Sequence, residues 1–100
     1  MLNNRTVIVI GYISIDNQTS EVVQTEKTAR AEVLNVYQSR LNDALIQGVK
    51  VNGRYKVRDV YDSDDINYVG VDGKRYRVNS VYRNRMNHFI ELEIGEVYRG

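Results

Sequence analysis

The chain has 100 residues, with 14 Lys and Arg against 13 Asp and Glu, one His, eight Tyr, one Phe, and no Cys, Pro or Trp. A chain of this length supports one domain burying roughly two-thirds of its unfolded surface, and without cysteine it holds no disulfide, thiolate nucleophile or thiolate metal ligand. A net charge of +1 lacks the global field of a free DNA-binding domain, no apolar run reaches the ~18 residues of a membrane span, and the opening Met-Leu-Asn-Asn-Arg does not read as a signal peptide. The expectation is a small soluble domain, intracellular or packaged into an assembly.

Period-two patterning dominates. Residues 5–15, Arg-Thr-Val-Ile-Val-Ile-Gly-Tyr-Ile-Ser-Ile, are β-branched and apolar on both faces, which suits a strand covered on both sides. Residues 16–20, Asp-Asn-Gln-Thr-Ser, are turn formers, so the chain reverses there. Residues 21–25 read as a short returning strand. Residues 31–38 read as another, with Leu34 and Val36 on one face and Val33, Asn35 and Tyr37 on the other.

Residues 39–48 break the pattern. Ser39 suits an N-cap, Leu41, Ala44 and Leu45 fall at i, i+3 and i+4, and Gly48 stands where a helix stops. A helix of about two turns is too short to stand alone, so its apolar stripe is expected to dock on the sheet. Strands resume at 54–61, 66–71, 74–83 and 88–97. Asn52-Gly53 and Asp72-Gly73 are turn dipeptides, and the second, between alternating segments, is the strongest hairpin signal in the chain. In 74–83 the alternation puts Tyr76, Val78, Ser80 and Tyr82 on one face and Arg75, Arg77, Asn79, Val81 and Arg83 on the other. In the last segment Ile90, Leu92 and Ile94 alternate with Phe89, Glu91 and Glu93. The expected fold class is all-β and mainly antiparallel: a small barrel or sandwich of six to seven strands. Residues 1–100 form one domain, with 39–53 as a projecting helix–loop insertion.

The small net charge conceals a separation. Asp59, Asp62, Asp64, Asp65 and Asp72 follow one another with no base among them, and Lys74, Arg75, Arg77, Arg83 and Arg85 follow with no acid. One reading is a bipolar surface that pairs copies head to tail or faces two partners. The other is cross-strand pairing, Glu91 and Glu93 lying opposite the arginines, each pair worth at most ~1 kcal/mol.

Catalysis finds little support. His88 is the only histidine, so a histidine-based zinc site or a Ser-His-Asp triad would rest on it alone; a structural or solvent-facing role fits better. Asp62-Ser63-Asp64-Asp65-Ile66 lacks the glycine and terminal glutamate of a calcium loop and reads as a turn with solvated carboxylates. The isolated Gly53, Gly70 and Gly73 make no phosphate cradle. The expectation is therefore no enzyme, no metal and no cofactor. Nucleic-acid binding on a sheet needs aromatics and cations on one face, whereas the alternation places the tyrosines and arginines of 74–83 on opposite faces.

The stretch from Asp65 to Arg83, Asp-Ile-Asn-Tyr-Val-Gly-Val-Asp-Gly-Lys-Arg-Tyr-Arg-Val-Asn-Ser-Val-Tyr-Arg, resembles the head–tail joining (head closure or head completion) proteins of tailed phages. The shared order is an acidic segment, a strand bearing an aromatic, a Gly-Lys turn, a Tyr-x-Val strand, a Tyr-Arg step, and a final strand like Ile90-Glu91-Leu92-Glu93-Ile94. Upstream, Glu32 to Ser39 is similar to the family's strand ending in Ser, and Asp43 to Lys50 to its Ala-x-x-x-Gly-x-Lys helix and loop. The resemblance spans Glu32 to Val97.

It implies a small barrel that oligomerises into a ring beneath the portal and adaptor of a virion assembled in the bacterial cytoplasm. The ring joins the DNA-filled head to the tail, with no catalysis, no cofactor and no membrane. The mid-chain loop would face the channel, making Arg40, Gln47, Gly48, Lys50, Asn52 and Arg54 channel candidates for contact with packaged DNA that does not read its sequence. A ring needs a heterologous interface, for which Asp59, Asp62, Asp64, Asp65, Arg75, Arg77, Arg83 and Arg85 are candidates. The alternatives are a barrel binding single-stranded nucleic acid through Arg75, Arg77, Arg83 and Arg85, and a tail terminator or completion protein.

Overall fold

In a computed structural model, which describes residues 4–58, 66–84, 86 and 88–99, the chain forms six strands and one helix. In order these are β1 (Arg5–Ile15), β2 (Val22–Leu34), α1 (Gln38–Gln47), β3 (Gly53–Arg58), β4 (Ile66–Val71), β5 (Lys74–Asn84) and β6 (Phe89–Val97). All neighbouring strands are antiparallel, and the order β1-β2-β3-β6-β5-β4 closes into a barrel. Closure leaves no sheet edge along the paired stretches, which is how a small all-β chain avoids edge-to-edge pairing.

The interior is filled by Ile8 and Ile10 of β1, Ala31 of β2, Tyr55 and Val57 of β3, Ile66 and Val69 of β4, and Ile90, Leu92 and Ile94 of β6. Each fully buried aliphatic side chain contributes about 1.5–3 kcal/mol relative to leaving it in water. The alternation expected of β6 therefore holds: Ile90, Leu92 and Ile94 point in.

β1 is not covered on both sides. Val7 is exposed on its outer face, and the cover comes at Gly11, where the Tyr68 ring lies against the backbone. The register with β4 shifts here, Gly11 pairing with Tyr68 and Tyr12 with Ile66, so β4 carries a bulge with Asn67 as its extra residue.

β2 is one 13-residue strand where the pattern suggested two, and it ends at Leu34, before Gln38. Its polar middle, Glu26 to Arg30, stays in the ladder because each residue pairs with β1, from Gly11↔Glu26 to Val7↔Arg30. Backbone pairing does not require apolar side chains where one face is open to water.

α1 starts two residues earlier than expected, with Tyr37 rather than Ser39 as N-cap and no side-chain cap, so Ser39 lies inside the first turn. Its C-terminus is the expected one. Gly48 adopts φ 73°, its N–H reaches Leu45 O, and the Val49 N–H reaches Ala44 O at 2.8 Å, a left-handed glycine cap closing the last carbonyls. The stripe does not dock. Ala44 is buried, but Leu45 is 81% and Ile46 84% exposed.

The Asp72-Gly73 turn has φ 51° and 80°, the two positive values of a type I′ hairpin. In β5 the alternation breaks at Asn79. Val78 pairs with Ile94 and Ser80 with Glu93, so two β5 residues pass against one of β6, and Asn79 is the extra one. Tyr76, Val78 and Val81 pack on the core, while Tyr82 is 62% exposed. Val81 and Tyr82 thus sit on the opposite faces from those the alternation assigned.

Candidate functional site

Three clusters organise the outside of the barrel. The first gathers on β6. Glu93 points outward yet is only 6% exposed, because α1 and the bulge cover it. Arg40 donates to it through Nε (2.7 Å to Oε1) and Nη2 (2.9 Å to Oε2), and Asn79 Nδ2 donates at 3.1 Å. The Arg40 hydrogen bonds hold the Glu93 carboxyl below the usual carboxylate range, against its burial and with help from Asn79 and Arg54. Asn79 also donates to Lys50 O at 2.8 Å. The Asn52 N–H bonds Ile94 O at 2.8 Å, and Asn52 Nδ2 bonds Gly95 O at 2.5 Å. Gly95 leaves room for this arrangement: a Cβ there would press on the Asn79 amide and on Lys50 O.

Of the channel candidates, Arg40, Asn52, Arg54 and the Lys50 backbone are thus held against β6 and the β5 bulge. Arg54 joins from β3, its Nη2 donating to Glu91 Oε2 at 2.8 Å and its guanidinium lying 5.8 Å from the Tyr37 ring. The charges of Arg40 and Arg54 are matched by Glu93 and Glu91. Gln47 and Gly48 are exposed.

In the second cluster, Tyr68 lies over Gly11, donates its hydroxyl to Glu26 at 2.5 Å, stacks on Tyr98 at 5.0 Å between centroids, and carries the Arg75 guanidinium over its ring at 4.9 Å. Burial, then the bond to Glu26, raises the Tyr68 hydroxyl pKa above the ordinary tyrosine value. Arg75 also donates to Glu26 at 2.8 Å.

The third cluster is an open depression of about 550 Å3 lined by Lys50, Arg77, Glu96, Val97, Tyr98 and Arg99. Arg77 reaches Glu96 at 3.4 Å. Three cations against one carboxylate leave this the positive part of the surface among the three clusters.

The cross-strand account of the base block needs different partners. Arg75 and Arg77 pair with Glu26 and Glu96, while Glu91 and Glu93 are taken by Arg54 and Arg40. Arg83 pairs in register with Ile90. Asp59, Asp62, Asp64, Asp65 and Arg85 lie outside the described residues, as does the acidic loop considered for calcium. His88 is exposed with φ 55° at the entry to β6. Among the described residues, no group of three or more His, Asp or Glu is placed to hold a metal ion.

Asn79 and the Glu93 latch escape pattern reading, since strict alternation makes Asn79 an ordinary facing residue. The available signal is Gly95, a glycine inside an otherwise alternating strand, which marks a bulge or a close backbone approach. No family model and no curated protein matches the chain.

Proposed function

We propose that this chain is the repeating subunit of a ring at the head–tail joint of a tailed phage, a head-closure protein seated between the portal–adaptor and the tail. The observation that carries the assembly reading is apolar surface left in water. Ile15 and Val22 at one hairpin, and Leu45 and Ile46 on the helix, are each two-thirds or more exposed. A barrel whose core is already closed has no use for them within one molecule, and contiguous exposed apolar side chains mark interaction sites.

What favours the head–tail joint over other assemblies is the order of pieces that resembles the head-closure family. A helix with a left-handed glycine cap lies between β2 and β3, the Gly-Lys turn joins β4 to β5, and an Ile-Glu-Leu-Glu-Ile strand closes the barrel. In this reading the chain works without catalysis or cofactor. Lys50, beside Arg77 and Arg99, is the channel candidate best suited to meet DNA phosphates, because the charges of Arg40 and Arg54 are matched internally.

The test is addition of purified protein to DNA-filled heads that carry portal and adaptor, read by electron microscopy and co-sedimentation. A ring at the head vertex is the expected result. A protein that never joins such heads refutes the reading, and binding to free tail ends alone transfers it to a tail terminator.

A further inference from the structure

We propose that the depression between the α1–β3 loop and the end of β6 holds the phosphodiester backbone of nucleic acid, and that Glu96 is the internal competitor which the phosphate displaces from Arg77. The inference deepens the head–tail reading and rests on it only for the source of the nucleic acid, the packaged DNA.

The cations of this barrel are not equally committed. Arg40 and Arg54, each about a third exposed or less, reach Glu93 and Glu91 at 2.7 and 2.8 Å. Arg75 reaches Glu26 at 2.8 Å and lies over the Tyr68 ring. In the depression the pairing is looser. Arg77 Nη1 stands 3.4 Å from Glu96 Oε1, and both side chains are more than half exposed. Among the described residues, no ion pair joins Lys50 or Arg99 to a carboxylate. An exposed pair of this kind is too weak to exclude a competitor. A phosphodiester presents two anionic oxygens to the arginine fork, and it engages Lys50 and Arg99 in the same step, which Glu96 does not.

The scaffold under the three cations is fixed by its backbone. Asn79 holds the Lys50 carbonyl at 2.8 Å, and the Asn52 N–H ties the same loop to Ile94 O at 2.8 Å. Arg77 stands in β5 and Glu96 in β6. Beyond β6 the Tyr98 N–H bonds Arg75 O at 2.8 Å, and the Tyr98 ring stacks on Tyr68, which carries the chain along β5 to Arg99. Three separate segments thus aim long cationic side chains at one hollow, and the ordering cost of binding is confined to those side chains.

Size and lining select the ligand. The hollow is about 550 Å3, within the range of clefts that enclose whole small molecules, so it admits a stretch of sugar–phosphate chain and not only a lone ion. Contacts from Lys and Arg to phosphate position a nucleic acid without reading its sequence. Binding to a lipid surface inserts apolar side chains beside the basic ones, and Val97 is the one aliphatic residue on this lining. A second basic depression, about 210 Å3, contains Arg30, Lys56 and Arg58 beside Glu32. There Lys56 lies over the Phe89 ring at 4.7 Å, and the sequence runs on from Arg58 into Asp59, Asp62, Asp64 and Asp65, so it serves as the charge-matched comparison.

The experiment titrates the full chain into a fluorescently labelled duplex of about 20 base pairs, read by anisotropy from about 20 to about 200 mM salt. Circular dichroism confirms the fold of each variant. For wild type, log K should fall against log salt with a slope of about −2 to −3, the release expected for two to three phosphates. Lys50→Gln and Arg99→Gln should each weaken binding about tenfold at about 50 mM salt and make the slope shallower by about one. Glu96→Gln should tighten binding by up to about fivefold, and most of that gain should vanish in an Arg77→Gln background. An equal gain from Glu21→Gln, on the β1–β2 hairpin, overturns the competitor role. Lys56→Gln/Arg58→Gln weakening binding as much as Lys50→Gln/Arg99→Gln overturns the site in favour of bulk charge. Polyglutamate bound as tightly as the duplex overturns it in favour of an acidic protein, and phosphatidylglycerol vesicles bound more tightly overturn it in favour of a membrane. No binding at about 20 mM salt with about 1 mM protein overturns it outright. A protein that fails this titration yet joins DNA-filled heads leaves the ring reading standing, and one that binds the duplex yet joins no head removes only the ring reading.

Discussion

Gly11→Ala offers the sharpest test of the packing outside the barrel. Gly11 has no positive φ, so alanine suits the backbone, and any penalty comes from space. An added Cβ would overlap the Tyr68 ring, and Tyr68 is 2% exposed, bonded to Glu26 and stacked on Tyr98. A small shift of the ring costs the 1–3 kcal/mol typical of overpacking, and its complete eviction approaches the roughly 3–5 kcal/mol of deleting a buried aromatic. The expected loss is about 2–4 kcal/mol, a drop in melting temperature of roughly 10–25 °C for a domain this size. Urea unfolding of wild type, Gly11→Ala, Tyr68→Ala and the double variant measures it. With Tyr68 already removed, Gly11→Ala should be neutral or slightly stabilising, since alanine restricts the unfolded chain more than glycine. The cycle should therefore return a coupling of about 2 kcal/mol or more. Additive effects, or a Gly11→Ala protein within about 0.5 kcal/mol of wild type, would refute the role of Tyr68 as the cover of β1.

Glu93→Gln should cost about 2 kcal/mol, the scale of hydrogen bonds to a charged group, by denaturant unfolding at pH 7. Because the folded Glu93 carboxyl is held below its unfolded value of about 4.3, its contribution is present above that pH and is lost as pH falls through the folded value. The gap between wild type and Glu93→Gln should accordingly shrink below about pH 4; a gap independent of pH refutes the ion-pair origin. Gly48→Ala should lose about 1 kcal/mol from the left-handed conformation at the α1 C-cap, with Gly48→Asn losing less. No Cβ contact lies within 4 Å there, so equal losses for the two would point to a steric cause instead.

The parts of this fold visible in the residues are those governed by neighbours along the chain. β1 and β4 begin and end where the β-branched runs do, the Asp72-Gly73 hairpin turns as its dipeptide requires, β6 alternates as written, and Gly48 ends the helix. Each depends on backbone sterics or period-two alternation within a few residues. The tertiary structure decided the rest. β2 continues through a polar stretch because β1 supplies its backbone partners. The Asn79 bulge exchanges the faces of Val81 and Tyr82 because β6 advances one residue while β5 advances two. α1 lies on its Arg40–Ala44 side, because a carboxylate 53 residues away in sequence offers two hydrogen bonds. That choice leaves Leu41 and Leu45 in water. Residues carry their own rotamers and turn preferences, but which side of a strand or helix is inside depends on partners distant in sequence, and here that choice also determines which surfaces remain for other molecules.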